Sequence, residues 1–124
     1  MKQVIRTNNA PNPAGPYSQG LRVGNRIYVA GQGPANPATG KVESTRVEDQ
    51  TRQVLKNIEA ILTAGGATMD NVVKVTAHLA DLKDFQAFNE IYKEFFNEPF
   101  PVRTTVGSQL NNISVEIDVI AELE

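Results

Sequence analysis

Apolar residues recur along this chain in two rhythms, one that suits strands and one that suits helices. Residues 2–7 carry Val4 and Ile5 in a short strand pattern, and residues 8–20, dense in Pro, Gly and Asn, read as an ordered loop. Residues 21–23 and 26–33 flank Gly24-Asn25 and predict a β-hairpin; residues 34–40 form a second loop. Val47, Thr51, Val54, Leu55, Ile58, Ile61 and Leu62 repeat at helical spacing, so they predict an amphipathic helix that stops at Gly65-Gly66. Thr45 and Glu48 have the spacing of a capping box, with Thr45 as N-cap. Val72–Leu79 predicts a β-branched strand. Asp81 is placed to cap a second helix whose inner face is Phe85, Phe88, Tyr92, Phe95 and Phe96, ended by Pro99 and Pro101. Residues 101–107 and 114–119 then predict two closing strands joined as a hairpin.

The order β, β-hairpin, α, β, α, β, β implies one α+β domain over residues 1–124: a single mixed β-sheet with both helices packed on one face. The other sheet face has no helix to cover it. The strand near residues 27–33 is uncharged on both faces, Val72–Leu79 reads as apolar on both, and Ile120 shares the face of Glu116. A face of that kind is expected to be covered by another copy of the chain.

Two residues stand out on the closing strands. Val102, Thr104 and Val106 alternate with Arg103, and Val115, Ile117 and Val119 alternate with Glu116, so strand parity predicts that Arg103 and Glu116 both point away from the core. A guanidinium and a carboxylate on one face suit a surface ion pair equally with a substrate clamp and a base.

Composition narrows the chemistry. There are 14 acidic and 12 basic residues without long runs of either sign, so no electrostatic footprint for nucleic acid or an acidic membrane is expected. The absence of cysteine removes disulfides, thiolate nucleophiles and Cys-based zinc sites. His78 is the one histidine, and neither a His-rich metal site nor a Ser-His-Asp triad is expected. No segment has the length and apolarity of a signal peptide or membrane span, which makes a cytoplasmic location the expectation.

The ordered set Gly15-Pro16-Tyr17-Ser18-Gln19, Val29-Ala30-Gly31-Gln32-Gly33-Pro34, Asn89, Arg103 and Val115-Glu116-Ile117 resembles the RidA/YjgF reactive intermediate deaminase family over nearly the whole chain. The resemblance implies a fold like that of the small trimeric chorismate mutases, a homotrimer with active sites at the subunit interfaces, and hydrolysis of 2-imino or enamine acids to 2-oxo acids and ammonia without a cofactor. It implies Arg103 as the clamp on a small-molecule carboxylate, Glu116 as the group that positions water, and the carbonyl of Thr105 as a further water ligand. Tyr17 is implied at the pocket mouth, Gly31 as a backbone N–H donor, and Asn89 and Ala30 as lining. Taken as ordinary residues, Tyr17 is a loop aromatic on Pro16, Glu116 a solvated strand carboxylate, Asn89 a helix-surface residue and His78 a structural histidine.

Three departures from the family pattern matter. Ala30 stands where Ser is common, which removes a pocket hydroxyl, and Thr105 stands where many members have Cys. The 107–113 connection is shorter by two residues; an even deletion keeps strand parity, so Glu116 is expected to remain on the side of Arg103. Asn111-Asn112 suits a tight turn of positive φ there. Two other readings stay open: a non-catalytic ligand-binding or regulatory trimer, and a ribonuclease or translation inhibitor, against which the charge balance argues.

Overall fold

The computed structural model describes residues 1–124. Its strands are β1 (Gln3–Ile5), β2 (Gly20–Val23), β3 (Arg26–Gln32), β4 (Val72–Leu79), β5 (Val102–Gly107) and β6 (Val115–Glu122); its helices are α1 (Val47–Ala64) and α2 (Phe85–Tyr92). The strands form one mixed sheet in the order β1-β2-β3-β6-β4-β5. Both helices share one core with a single sheet face, as the element order predicts. None of them is long and apolar enough to cross a membrane.

The core follows from two periodicities meeting. On α1, Val54, Leu55, Ile58, Ile61 and Leu62 form a fully buried stripe. On β6, Val115, Ile117, Val119 and Ala121 alternate toward that stripe while Glu116, Asp118 and Ile120 point the other way. The β2–β3 hairpin turns at Gly24-Asn25, where Gly24 holds φ of +60°, a conformation that favours a residue without Cβ.

Helix termini differ from expectation in detail. The N-cap of α1 is Arg46, without a side-chain cap, and not Thr45. Ser44 does the local work instead: its Oγ accepts the Arg46 N–H at 3.1 Å and donates to Asp49 Oδ2 at 2.8 Å. Glu48 and Asp49 in the first turn offset the helix dipole. Asp81 does cap, accepting the Lys83 N–H at 2.9 Å, but it opens a 3-10 turn (Leu82–Asp84) that leads into α2. Helix α2 ends at Tyr92, because the chain tightens there through i→i+3 bonds such as Phe95 N–H to Tyr92 O at 3.0 Å. Phe88, Tyr92 and Phe96 are buried as expected, whereas Phe85 sits at the rim.

The largest correction concerns the closing strands. They do not form a hairpin, because β4 lies between them, parallel to β5 and antiparallel to β6. The connection after β5 instead passes over the end of β4, tied by Ser108 N–H to Leu79 O at 2.9 Å and Ala80 N–H to Ser114 O at 3.0 Å. Asn112 supplies the expected positive φ, at 60°.

Register then reverses the parity reading for β5. Arg103 pairs with Val75 and Thr105 with Ala77, both of which face the helices. Glu116 pairs with His78 on the open face. Arg103 and Glu116 therefore lie on opposite faces of the sheet. The apolar set Val102, Thr104 and Val106 belongs to the open face, with Val102 68% exposed, together with Tyr28, Ile120, Lys74, Thr76 and Asp118. In sequence, apolar strand residues left on an exposed face look the same as apolar residues destined for the core.

Replacing Ile58, fully buried on α1, by alanine is expected to lower unfolding free energy by about 2–5 kcal/mol. Urea denaturation with an unchanged m-value is the measurement that checks it.

Candidate functional site

The residues singled out in the sequence assemble into two groups. The first surrounds Arg103. On β5, at the sheet edge, its guanidinium carbon lies 4.6 Å from the ring centroid of Tyr92, 5.4 Å from that of Phe88 and 5.7 Å from that of Phe85. These distances are those of cation–π contacts. Arg103 has no carboxylate partner within the chain, although Arg26, Arg46 and Arg52 each have one. The Tyr92 hydroxyl lies close enough to interact with its guanidinium without a well-aligned hydrogen bond, and the rest of its planar fork of donors is free.

Asn89, on α2, lines a cavity of about 340 Å³ with Tyr92, Lys93, Phe100, Pro101 and Arg103. Three buried side-chain polar atoms in the chain have no hydrogen-bond partner: Asn89 Oδ1, Tyr92 hydroxyl and Thr105 Oγ1. Two of the three residues line the Arg103 cavity, and Thr105 shares the strand face of Arg103 two residues further along. Buried polar groups are otherwise almost always paired, so such a cluster marks a place with unmet hydrogen-bonding capacity. Burial raises the pKa of Tyr92, with the charge of Arg103 and its hydrogen-bonding donors pulling in the opposite direction, so the phenol stays neutral near pH 7.

The second group lies on the other side of the sheet. Between Val29 and Gln32, β3 departs from regular pairing with β6, and Ala30 and Gly31 occupy that irregularity. Gly31 lies directly against Glu116: a Cβ built there would stand 2.9 Å from Glu116 Oε2. Glu116 has no ion-pair partner in the chain. Tyr17 is half exposed, its hydroxyl accepting the Ala14 N–H at 3.1 Å while its own proton stays available. Tyr17 and Gly31 line a cavity of about 350 Å³ with Pro11, Asn12, Gln19 and Gly33, and Tyr17 and Ala30 also border a second, more apolar hollow with Leu21 and Tyr28.

The loop that carries Tyr17 is held by Gln19, a residue whose structural role the sequence did not reveal. Its buried side chain accepts the Thr7 N–H at 2.8 Å and donates to Thr7 O at 3.0 Å and Pro11 O at 2.9 Å. Its main-chain carbonyl accepts the Ala30 N–H at 2.9 Å, which links the loop to the Gly31 irregularity. The aromatic residues around Arg103 were visible only as a helical stripe. No local signal says that an arginine on a distant strand will lie over them.

His78 is hydrogen-bonded, as expected of a structural histidine. Its Nδ1 is 2.8 Å from Ser108 Oγ, and although Asp118 lies on its other side, Nε2 is 4.0 Å from Asp118 Oδ2, beyond hydrogen-bond distance. These three residues are not built for acyl transfer. The Ser108 N–H that would serve an oxyanion is bonded to Leu79 O.

Within one chain Arg103 and Glu116 cannot meet on a small substrate. They are separated by two strand spacings, roughly 10 Å, by a stagger of about 10 Å along the strands, and by the thickness of the sheet.

Comparison with known proteins places this geometry in a family. A family model described as Endoribonuclease L-PSP matches residues 7–123. The 2-iminobutanoate/2-iminopropanoate deaminase of Dermatophagoides farinae is 42% identical over 125 residues, spanning 99% of this chain and 98% of that protein. Reactive Intermediate Deaminase A, chloroplastic, of Arabidopsis thaliana is 47% identical over 124 residues, spanning 98% of this chain and 66% of that protein. Among solved structures, E. coli TdcF with bound serine matches with a TM-score of 0.93 at 36% identity, over 98% of this chain and 99% of that one. Sequence similarity and fold thus agree along nearly the whole length, and the chain belongs to the RidA/YjgF reactive intermediate deaminase family.

Proposed function

We propose that this protein hydrolyses reactive 2-imino and enamine acids, such as 2-iminobutyrate or 2-iminopropionate, to the 2-oxo acid and ammonia, at sites shared between subunits of a homotrimer. The observation that carries this reading is the free guanidinium of Arg103, held by rings beside a cavity and facing no carboxylate of its own chain. A planar fork of this kind matches a carboxylate through two parallel charge-assisted hydrogen bonds. Relatives named for deamination of 2-iminobutanoate and 2-iminopropanoate, and one solved with serine bound, supply ligands that all carry such a carboxylate.

The opposite-face geometry supports a shared site. Arg103, Asn89 and Thr105 form one half; Tyr17, Ala30, Gly31 and Glu116 form the other. A second copy packed with its open face against the β5 edge brings its Glu116 to the first copy's Arg103, and it also covers Val102 and Val106. The imine carbon is already electrophilic, so the protein's task is to place water and move protons. Glu116 holds the water beside Gly31 and takes its proton as oxygen bonds to C2. The Tyr17 hydroxyl donates its proton to the nitrogen, giving a carbinolamine. Protonated Glu116 then returns its proton to the nitrogen while the carbinolamine hydroxyl proton passes back to the Tyr17 oxygen, so that the C–N bond breaks to release ammonia and the 2-oxo acid with both residues restored. The Asn89 amide oxygen and the carbonyl of Thr105 are the remaining polar contacts in this scheme.

The family model's description as an endoribonuclease favours RNA as a second ligand class. A net charge of −2 and a His78 already bonded to Ser108 argue against it.

The direct test couples an amino-acid dehydratase to the purified protein and follows loss of 2-iminobutyrate. Acceleration over buffer is expected, and Arg103→Ala is expected to lower kcat/KM by at least about 100-fold; a wild-type rate equal to buffer rejects the deaminase reading. Shared sites make a further prediction. Arg103→Ala and Glu116→Gln, each inactive alone, should regain activity when unfolded and refolded together, since about a quarter of the mixed interfaces then carry both native residues. No recovery on co-refolding would assign both residues to the same copy. Gly31→Ala should leave the thermal midpoint within a few degrees of wild type, because Gly31 is exposed, while displacing the Glu116 carboxylate and cutting kcat by roughly ten-fold or more.

A further inference from the structure

The clamp needs something to aim it, and the chain offers no carboxylate for that purpose. A free arginine side chain has several rotatable bonds, and a bidentate grip requires the guanidinium plane to be set before the ligand arrives. Around Arg103 the observed partners are the aromatic residues Phe85, Phe88 and Tyr92, and these are not equivalent. Phe85 is 40% exposed at the rim, and Phe88 is a core residue with no exposure. Tyr92 has the closest ring, at 4.6 Å, and is itself fixed by neighbouring rings, Phe96 at 4.5 Å and Phe88 at 5.6 Å between centroids.

Tyr92 also carries a feature that packing does not explain. Its hydroxyl is buried without a well-aligned hydrogen bond, with the Arg103 guanidinium as its polar neighbour, in a position where phenylalanine would fill nearly the same space with no polar atom to satisfy. With Asn89 Oδ1 and Thr105 Oγ1 it completes the set of unpartnered buried polar atoms, and Tyr92 and Asn89 line the same cavity as Arg103. A carboxylate held in that cavity, with the water it brings, provides the acceptors and donors that the empty cluster lacks.

We propose that Tyr92 is the positioning residue of the Arg103 clamp: its ring sets the guanidinium plane, and its buried hydroxyl takes up a hydrogen bond when a carboxylate ligand occupies the cavity. The phenol must stay neutral for this arrangement. A phenolate would pair with the guanidinium and occupy the fork, and burial opposes that ionisation. Tyr92 acts through Arg103 and takes no part in proton transfer at C2 or nitrogen.

The inference rests on Arg103 being a carboxylate clamp, and its test separates it from the deaminase reading. Two measurements are made on wild type, Tyr92→Phe and Tyr92→Leu, with Tyr92→Met used if the leucine chain does not fold: calorimetric titration with 2-oxobutanoate, and steady-state hydrolysis of 2-iminobutyrate. Loss of the ring is expected to weaken 2-oxobutanoate binding and raise KM by roughly ten-fold, with kcat changed less than about three-fold. Phenylalanine, which keeps the ring, is expected to shift both by only about two- to four-fold. A purely structural role would lower the amount of folded protein and kcat together without this split. Unchanged binding and KM in a folded ring-less variant overturn the proposal, as does a phenylalanine variant as impaired as leucine. If wild type binds 2-oxobutanoate in a Tyr92-dependent way but does not hydrolyse the imine, the positioning role stands and the deaminase reading falls.

Discussion

The insertion of β6 between β3 and β4 is the constraint on which the rest of the molecule depends. Being antiparallel to both neighbours, β6 presents Val115, Ile117, Val119 and Ala121 to α1 and turns Glu116 to the opposite face. It also pushes β5 to the sheet edge, where only β4 can pair with it. In that edge register Arg103 follows Val75 onto the helix side and reaches the rings of α2. One pairing choice thus separates the two charged residues and gives each its surroundings.

Each charge is held without a partner of opposite sign, by a different device. For Arg103 the device is a set of aromatic faces, which attract a cation yet leave its hydrogen-bond donors free. For Glu116 it is a neighbour with no side chain, since any Cβ at Gly31 would crowd the carboxylate. Arg52 offers a contrast on the same molecule: it pairs with Glu94 at 3.1 Å, as an exposed arginine commonly does. Leaving groups uncommitted costs stability, and the three unpartnered polar atoms near Arg103 add to that cost. Structures tolerate such arrangements where a ligand completes them.

Much of this was legible in the chain. The α1 stripe, the Gly24-Asn25 hairpin, the alternating β6 strand and the aromatic face of α2 each follow from spacing alone, because their partners lie at fixed periods along the backbone. Element ends were less so: the helix cap moved from Thr45 to Arg46 and Ser44 because several short polar side chains compete for the same first-turn N–H groups. The parity of β5 failed for a deeper reason. On an edge strand neither face is deeply buried, so alternation between Val102, Thr104 and Val106 on one side and Arg103 and Thr105 on the other does not say which side meets the helices.

The sequence by itself determined the class of fold and, through its ordered motifs, the family, and it singled out Arg103 and Glu116 as candidates. These are carried by local periodicity and residue type, which need no knowledge of long-range pairing. Only the tertiary structure decided that Arg103 and Glu116 belong to opposite faces, that rings of α2 hold the guanidinium, and that Gln19 ties the Tyr17 loop to the Gly31 irregularity. The physical reason is that strand order and register are set by contacts between residues far apart in sequence. Moving a strand by one neighbour leaves every local pattern intact and changes which side chains can meet.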